Sequence, residues 1–300
     1  MDDDIVTRAS AVRNGRTKGQ IDYLVDVGQW VRLRDGIYCP RAALDTVSSE
    51  RARHRLLVLA AQRCLRDESV ASMWSAARLH GLPVPPTCDH EVELTRETSR
   101  VRRYPGLHVR VAALPPDHLA SLDGVIATSA ARTVVDLARN LPLIDGVVVA
   151  DAALHQGLTT KVDLVSVVKT CRRWPGAAQA RGVVEFADGG AESPLESRSR
   201  VRLVRDLGLP TPELNVVIPG RDGRPLARVD MYWPEYRTIG EADGAMKYGG
   251  GASTLFREKL REDDLRDLDY QFVRWTWWDM EGRAIQVVAR IRRAFARYAA

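Results

Sequence analysis

The stretch LARVDMYWPEYRTIGEAD, residues 226–243, holds the pattern that decides the fold of the C-terminal part of the chain. Apolar and polar residues alternate along 226–233, which predicts a half-buried strand that ends at Pro234-Glu235. A second β-prone run, RTIGEA (237–242), follows at once. The stretch therefore predicts two adjacent strands.

Elements on either side of this hairpin extend the prediction to a whole domain over 190–300. A helix predicted over 194–207 precedes the strand LNVVI (214–218), which leads into the hairpin. After the hairpin, the pattern predicts a helix over 252–267, the strand QFVRWTW (271–277) and a last helix. Helix, three strands, helix, strand and helix is the element order of an α/β layered domain.

The N-terminal residues, 1–45, predict a winged helix. A short helical pattern covers 5–12, and Thr17 with Gln20 three residues later is a capping-box signal for a second helix. Two short β-prone runs follow within 30–39, joined by an Asp-Gly turn. Two helices at a tight turn followed by a small hairpin form the outline of a winged helix.

The middle segment, 46–175, mixes helices with strands and ends at Trp174-Pro175-Gly176. The chain as a whole is therefore predicted to be α/β in class, an α+β protein of several domains. Helical patterns cover 48–66, 129–139, 143–157 and 162–171, and strand patterns cover 91–95 and 107–112.

Composition and charge narrow the function classes. The 300 residues are 45% hydrophobic and 28% charged, which excludes disorder as the main description. No apolar run approaches the roughly 18 residues of a membrane span, and the acidic start MDDDIVTRAS lacks the regions of a signal peptide.

Four scattered cysteines, without metal-ligand spacing, predict buried thiols in a reducing cytoplasm. A net charge of +5 indicates binding to nucleic acid only if the positive residues cluster. Residues 5–41 contain seven Arg or Lys residues against three Asp residues, which is a local excess of positive charge.

Two carboxylates are predicted at one end of the C-terminal hairpin. Asp230 lies on the strand face opposite Val229 and Met231, and Glu241 closes the next strand, two residues before Asp243. Carboxylates on adjacent strands are the arrangement that binds a hard divalent cation through oxygen. The pattern predicts a Mg²⁺ site with Asp230 and Glu241 as ligands.

Glu196 is a third candidate, because it shares a helix face with the apolar Leu203 and Leu207. An acidic side chain on the buried face of a helix needs a stabilising partner, and a metal ion or a catalytic water would be one. A capping box with Ser193 at the start of the helix is the structural alternative. Both roles are compatible with each other.

Structural alternatives also exist for the two acids of the hairpin. Asp230 can pair with Arg228 or Arg237 across the strands, and Asp243-Gly244 is a common turn dipeptide.

Residues 190–280 resemble the restriction-endonuclease-like domains related to very-short-patch-repair (Vsr) endonucleases. The resemblance is carried by ESPLESRSRVRLVRDLGLPTPELNVVI, GRPLARVDMYWPEYRTIGEADGAMKY and FREKLREDDLRDLDYQFVRWTWWDM in this order. It implies a PD-(D/E)XK core in which Mg²⁺ and water cut a phosphodiester. Asp230 and Glu241 match its two acidic positions, and Glu196 matches the acid of its leading helix.

This sequence departs from the PD-(D/E)XK pattern at one catalytic position. Asp243 stands where the pattern has lysine, and Lys247 is the residue nearby that can replace it. Otherwise the site holds a metal without cutting. The catalytic set implied by the resemblance is therefore Glu196, Asp230, Glu241, Asp243 and Lys247.

The N-terminal two thirds resemble AbiEi-family antitoxins of type IV toxin–antitoxin systems. The resemblance rests on TRASAVRNGRTKGQIDYLVDVGQWVRLRDGIYCP (7–40), SAARLHGLPVP (75–85) and VIATSAARTVVDLAR (125–139). It implies binding of operator or promoter DNA by the winged helix and a cognate toxin as a possible partner.

In such a complex the helix over 17–28 enters the major groove and the hairpin lies along the DNA backbone. Asp22 and Asp26 on the same helix repel phosphate, and a solvated helix with ordinary surface charges is the alternative. The residues predicted to contact DNA are Arg16, Lys18, Gln20, Tyr23, Arg32 and Arg34.

Two functions follow from these patterns. The first is a cytoplasmic DNA-binding protein with a Mg²⁺-dependent endonuclease domain, and the alternative is a transcriptional repressor or antitoxin whose nuclease-like domain is inactive. A homodimer is compatible with either function, although no heptad pattern supports one.

Overall fold

A computed structural model describes residues 5–65, 69–85, 92–97, 102–243 and 262–298. Its mixed helices and strands confirm the predicted α/β class. Packing divides the chain into two compact units. The first contains the described residues up to Asn140 together with Leu158–Ala180, and the second contains Leu141–Gly157 together with the described residues from Arg181 onward.

The elements are numbered here in chain order. The strands are β1 Val6–Thr7, β2 Trp30–Arg34, β3 Ile37–Pro40, β4 Val70–Ala71, β5 Val92–Arg96, β6 Arg102–Tyr104, β7 Leu107–Val111, β8 Leu119–Leu122, β9 Val125–Thr128, β10 Glu213–Pro219, β11 Pro225–Trp233, β12 Thr238–Asp243 and β13 Gln271–Thr276. The helices are α1 Arg8–Arg13, α2 Lys18–Asp26, α3 Arg41–Asp45, α4 Glu50–Cys64, α5 Met73–His80, α6 Ala130–Ala138, α7 Leu143–His155, α8 Lys161–Thr170, α9 Ala177–Phe186, α10 Pro194–Arg200, α11 Trp277–Gly282 and α12 Ala284–Tyr298, with helical residues also at 262–266.

The N-terminal elements form the predicted helix pair and hairpin, with one correction. Residues 6 and 7, predicted as helix, form strand β1, because the β-branched Val6 and Thr7 pair with Tyr38 and Ile37. The resulting sheet has the order β1-β3-β2. Ile21 of α2 is completely buried, and this fixes the helix against the hairpin.

The middle of the chain contributes a six-stranded sheet with the order β6-β7-β5-β4-β9-β8. The strands predicted at 91–95 and 107–112 are confirmed as β5 and β7, which pair in parallel. Helices α4 and α5 pack on the core of this sheet, with Leu56 and Leu79 both buried.

The C-terminal sheet has the order β10-β11-β12-β13 and confirms the hairpin predicted at 226–243. Strands β10, β11 and β12 pair antiparallel, whereas β12 and β13 pair in parallel. One face of this sheet packs against α10 and α12 through Met231, Trp233 and Trp275.

Two further predictions need correction. The single helix predicted over 194–207 consists of α10 followed by a π-helical stretch, Val201–Asp206. Cys39 and Cys171 are buried as predicted, but Cys64 is exposed because it ends α4 at the protein surface. Cys88 lies outside the described residues.

Within the described ranges, none of the helices combines the length and the apolar character that crossing a bilayer requires.

Candidate nucleic-acid interface and carboxylate pair

Helix α2 presents a polar surface whose start is fixed by a capping box. The Thr17 hydroxyl accepts from the backbone N–H of Gln20 at 3.2 Å, and the Gln20 side chain accepts from the Thr17 N–H at 2.8 Å. Gln20 therefore caps the helix as well as lying at its exposed side. Lys18 is exposed, and Tyr23 projects into solvent with 64% of its surface accessible.

One of the two acids on α2 carries its own counter-charge. Asp22 accepts a hydrogen bond from the Arg8 guanidinium at 2.9 Å, and Arg8 also donates to the Tyr38 hydroxyl at 2.6 Å. The negative charge of Asp22 is thereby compensated by a residue of the neighbouring helix α1. Repulsion of phosphate by this residue is smaller than the sequence alone suggests.

The three arginines predicted to contact DNA have different surroundings. The guanidinium of Arg16 lies 5.2 Å from the centre of the Trp30 ring, which orients an otherwise exposed side chain. Arg32 is exposed and forms an ion pair with Asp35 in the hairpin turn. These two side chains remain accessible to a ligand.

Arg34 differs from the other predicted contacts because it is engaged within the first unit. It donates to the backbone oxygens of Gly106 at 2.6 Å and Pro105 at 3.3 Å, in the turn between β6 and β7. Burial lowers the pKa of its guanidinium. Its position indicates a role in holding the hairpin to this turn.

Asp230 and Glu241 occupy neighbouring strands, as the sequence predicts. Met231 pairs with Gly240, and this register places Asp230 and Glu241 at the next positions of β11 and β12. Asp230 accepts a hydrogen bond from the Ala242 N–H at 2.7 Å. Glu241 is 2% exposed, which is unusual for a carboxylate.

A basic residue that the sequence motifs did not indicate, Arg274, lies on the strand next to Glu241. Arg274 of β13 is the register partner of Glu241, and its Nε lies 3.8 Å from the Asp243 carboxylate. Its Nη2 lies 3.1 Å from Glu262. The alternation of QFVRWT could have predicted which face of its strand Arg274 occupies. That this strand lies next to β12, with Arg274 opposite Glu241, follows only from the parallel pairing of β12 with β13.

Glu196 lies at the start of α10, where its carboxylate has several polar contacts. One of its carboxylate oxygens accepts from the Ser193 hydroxyl at 2.7 Å, and the other accepts from the Glu192 N–H at 2.9 Å and from the Asn215 amide at 3.1 Å. The Ser193 hydroxyl in turn accepts from the Glu196 N–H at 3.2 Å, which makes Ser193 the N-cap of α10. Lys247 lies outside the described residues.

The arginines that could pair with Asp230 have other partners. Arg228 forms an ion pair with Glu192 and contacts the Asn215 side chain. Arg237 stacks on the ring of Tyr270 at 4.4 Å and donates to a backbone oxygen.

The magnesium site at this end of the sheet stays a prediction. No group of three or more His, Cys, Asp or Glu side chains suited to a metal ion occurs in the part of the chain that the structure describes. The donors that are brought together are the two carboxylates of Asp230 and Glu241, accompanied by the guanidinium of Arg274. A site that also includes Glu196 stays a prediction.

Comparison with protein families identifies the middle of the chain. Residues 69–185 match the family model described as the AbiEi antitoxin C-terminal domain. This match confirms the antitoxin resemblance for that part of the chain. It does not cover the C-terminal sheet, so the resemblance to Vsr-like nucleases rests on the sequence motifs alone.

Two mycobacterial proteins are similar to almost the entire chain. They are the uncharacterized protein MT2308 of Mycobacterium tuberculosis (strain CDC 1551 / Oshkosh) and the uncharacterized protein Rv2248 of strain ATCC 25618 / H37Rv. Each is 30% identical over 287 residues, covering 92% of this chain and 96% of the relative. The chain therefore belongs to the family of these two mycobacterial proteins and contains within it a match to the AbiEi antitoxin C-terminal domain.

Proposed function

We propose that this protein is a cytoplasmic DNA-binding antitoxin of the type IV toxin–antitoxin class, which represses the promoter of its own operon. The observation that carries the proposal is the match of residues 69–185 to the AbiEi antitoxin domain. It is supported by the helix pair and hairpin that precede this domain, because α2 exposes Lys18 and Tyr23 while Arg8 compensates Asp22. A toxin encoded beside it is the proposed partner.

The DNA contacts proposed are those of Arg16, Lys18, Gln20, Tyr23 and Arg32. Helix α2 lies in the major groove, and Arg32 in the hairpin contacts phosphate. Base recognition falls to Gln20 and Tyr23, whereas the cations contribute affinity that depends on salt.

An electrophoretic mobility shift with the DNA upstream of the gene tests this proposal. The wild type is compared with Lys18→Ala, and with Lys169→Ala as a control that removes an exposed lysine from α8. We expect Lys18→Ala to weaken binding about tenfold and to reduce the slope of log K against log salt by about one. Equal losses for both lysine variants, or no preference for the upstream DNA, would contradict the proposal.

Antitoxin function has a separate test. Co-expression with the product of the neighbouring gene should restore growth that this product alone inhibits. Failure to restore growth, with intact binding to the upstream DNA, would leave a repressor that is not an antitoxin.

A second candidate function is a Mg²⁺-dependent endonuclease, favoured by one specific observation. Asp230 and the buried Glu241 lie side by side on adjacent strands, beside Arg274. In this proposal the two carboxylates hold the metal, and Lys247 or Arg274 balances the charge of the phosphate.

Supercoiled plasmid incubated with Mg²⁺ or Mn²⁺ tests the second candidate. Nicking that disappears in both Asp230→Asn and Glu241→Gln would establish the nuclease, and Asp222→Asn, in an exposed turn, is the control. Absence of nicking by a protein that still binds its upstream DNA would exclude it.

A further inference from the structure

We infer that the first unit contains a binding site for a small anionic molecule, in a cavity lined by Arg110, Arg132, Arg139 and Trp174. The cavity has a volume of about 490 Å³, which lies within the range of small-molecule sites. Its walls come from the end of β7, from α6 and from the segment after α8. This inference does not depend on the function proposed above.

Arg132 is 1% exposed and yet incompletely paired. Its Nε donates to Asp136 at 2.7 Å, and its Nη1 lies 3.0 Å from both the Ala113 oxygen and His118 Nδ1. Its buried Nη2 has no hydrogen-bond acceptor among the described residues. A buried donor without an acceptor costs about 1–3 kcal/mol, and a small shift of the side chain that brings Nη2 to an oxyanion in the cavity would remove that cost.

Trp174 holds two of the arginines in place. Its ring lies 4.7 Å from the guanidinium of Arg132 and 4.9 Å from that of Arg139. Arg139 donates to the other oxygen of Asp136 at 2.9 Å and to the Pro175 oxygen at 2.8 Å. The guanidinium planes are therefore oriented before any ligand binds, which lowers the entropic cost of binding.

Gly176 shows how closely this turn approaches the end of α6. Its φ is +77°, and a Cβ atom there would lie 2.1 Å from the Arg139 backbone oxygen. A side chain at this position would collide with the Arg139 backbone at the end of α6. The chain thus uses glycine where the cavity wall requires it.

The charge of the cavity selects an anion. Three arginines line it, and Asp136 is the one carboxylate among the lining residues that the structure describes. Arg110, at the end of β7, donates to Glu93 at 3.0 Å, while its Nε is buried without an acceptor in the described residues. Guanidinium groups with unused donors match the oxygens of a phosphate or a carboxylate.

Calorimetric titration of the full-length protein at constant ionic strength tests the site. The probes are inorganic phosphate, adenosine 5′-monophosphate and succinate, with adenosine as the uncharged control. Saturable binding of phosphate and the monophosphate identifies a phosphate ligand, and saturable binding of succinate alone identifies a carboxylate. Absence of binding by all three anions at about 10 mM would overturn the inference.

Variants locate the binding. Arg110→Gln should weaken it at least tenfold, and it changes the least buried of the three arginines, which is 34% exposed. Arg139→Gln is a second test with the same expectation. Arg103→Gln, on the exposed edge strand β6, is the matched control. Unchanged affinity in both cavity variants, or an equal loss in Arg103→Gln, would overturn the assignment.

Discussion

Arg200 of α10 forms two hydrogen bonds, at 2.8 and 3.1 Å, with the carboxylate of Asp151 of α7. Both side chains are buried, at 4% and 0% exposure. The same carboxylate accepts from the Asp188 N–H at 2.7 Å. This buried pair explains why α7 packs with the C-terminal residues, although the sequence places it within the middle segment.

We predict that Arg200→Met destabilises the protein by about 3–5 kcal/mol, because it leaves the Asp151 carboxylate buried without its cation. Urea unfolding measures the effect. Arg202→Met is the control, since Arg202 forms an exposed pair with Asp206 and its loss should cost at most about 1 kcal/mol. Equal effects in the two variants would contradict this view of the pair.

Gly240 of β12 lies beneath two indole rings. A Cβ atom there would come within 2.5 Å of the Trp275 ring and 3.0 Å of the Trp233 ring. We predict that Gly240→Ala destabilises the second unit by about 1–3 kcal/mol through overpacking. Thermal unfolding measures the change, and Gly282→Ala, where the added methyl meets no atom within 4 Å, should be near neutral.

Stability should fall as the pH is lowered. Burial, with help from the nearby Arg78, lowers the pKa of His54 from 6.5 to about 4, and Ser75 Oγ lies 2.9 Å from its Nε2. Between these values the unfolded chain binds a proton that the folded chain does not. Stability is therefore greatest above the unfolded pKa and is lost as the pH falls from 6.5 towards 4, by roughly 3 kcal/mol.

Comparing urea midpoints at pH 7.5 and 5 checks this prediction. His54→Gln should reduce the pH dependence. Burial also lowers the pKa of His80 and His118, so part of the dependence should persist in the variant. A pH dependence that is identical in wild type and His54→Gln would contradict the prediction.

Arg34 and Arg32 should respond differently to removal. Arg34→Ala deletes two hydrogen bonds to the β6–β7 turn, so we expect a loss of about 1–2 kcal/mol of stability without a change in the salt dependence of DNA binding. Arg32→Ala should leave stability nearly unchanged and reduce the salt slope by about one. The opposite pattern in the two variants would assign phosphate contact to Arg34.

The sequence by itself determined many of the helices and strands of this protein. Alternation along 226–233 predicted β11, the capping box at Thr17 predicted the start of α2, and the matched motifs predicted the antitoxin-like middle of the chain. Each of these signals is local, because the periods of strands and helices and the chemistry of caps involve residues only a few positions apart.

The tertiary structure decided which distant residues meet. It placed Arg274 beside Glu241, turned Arg34 towards Gly106 and brought Arg132 under Trp174. Such contacts depend on strand order and on the packing of helices across the chain, which no periodic pattern within one segment encodes. Local propensity therefore indicates helices and strands, whereas long-range packing decides which partner each charged side chain meets.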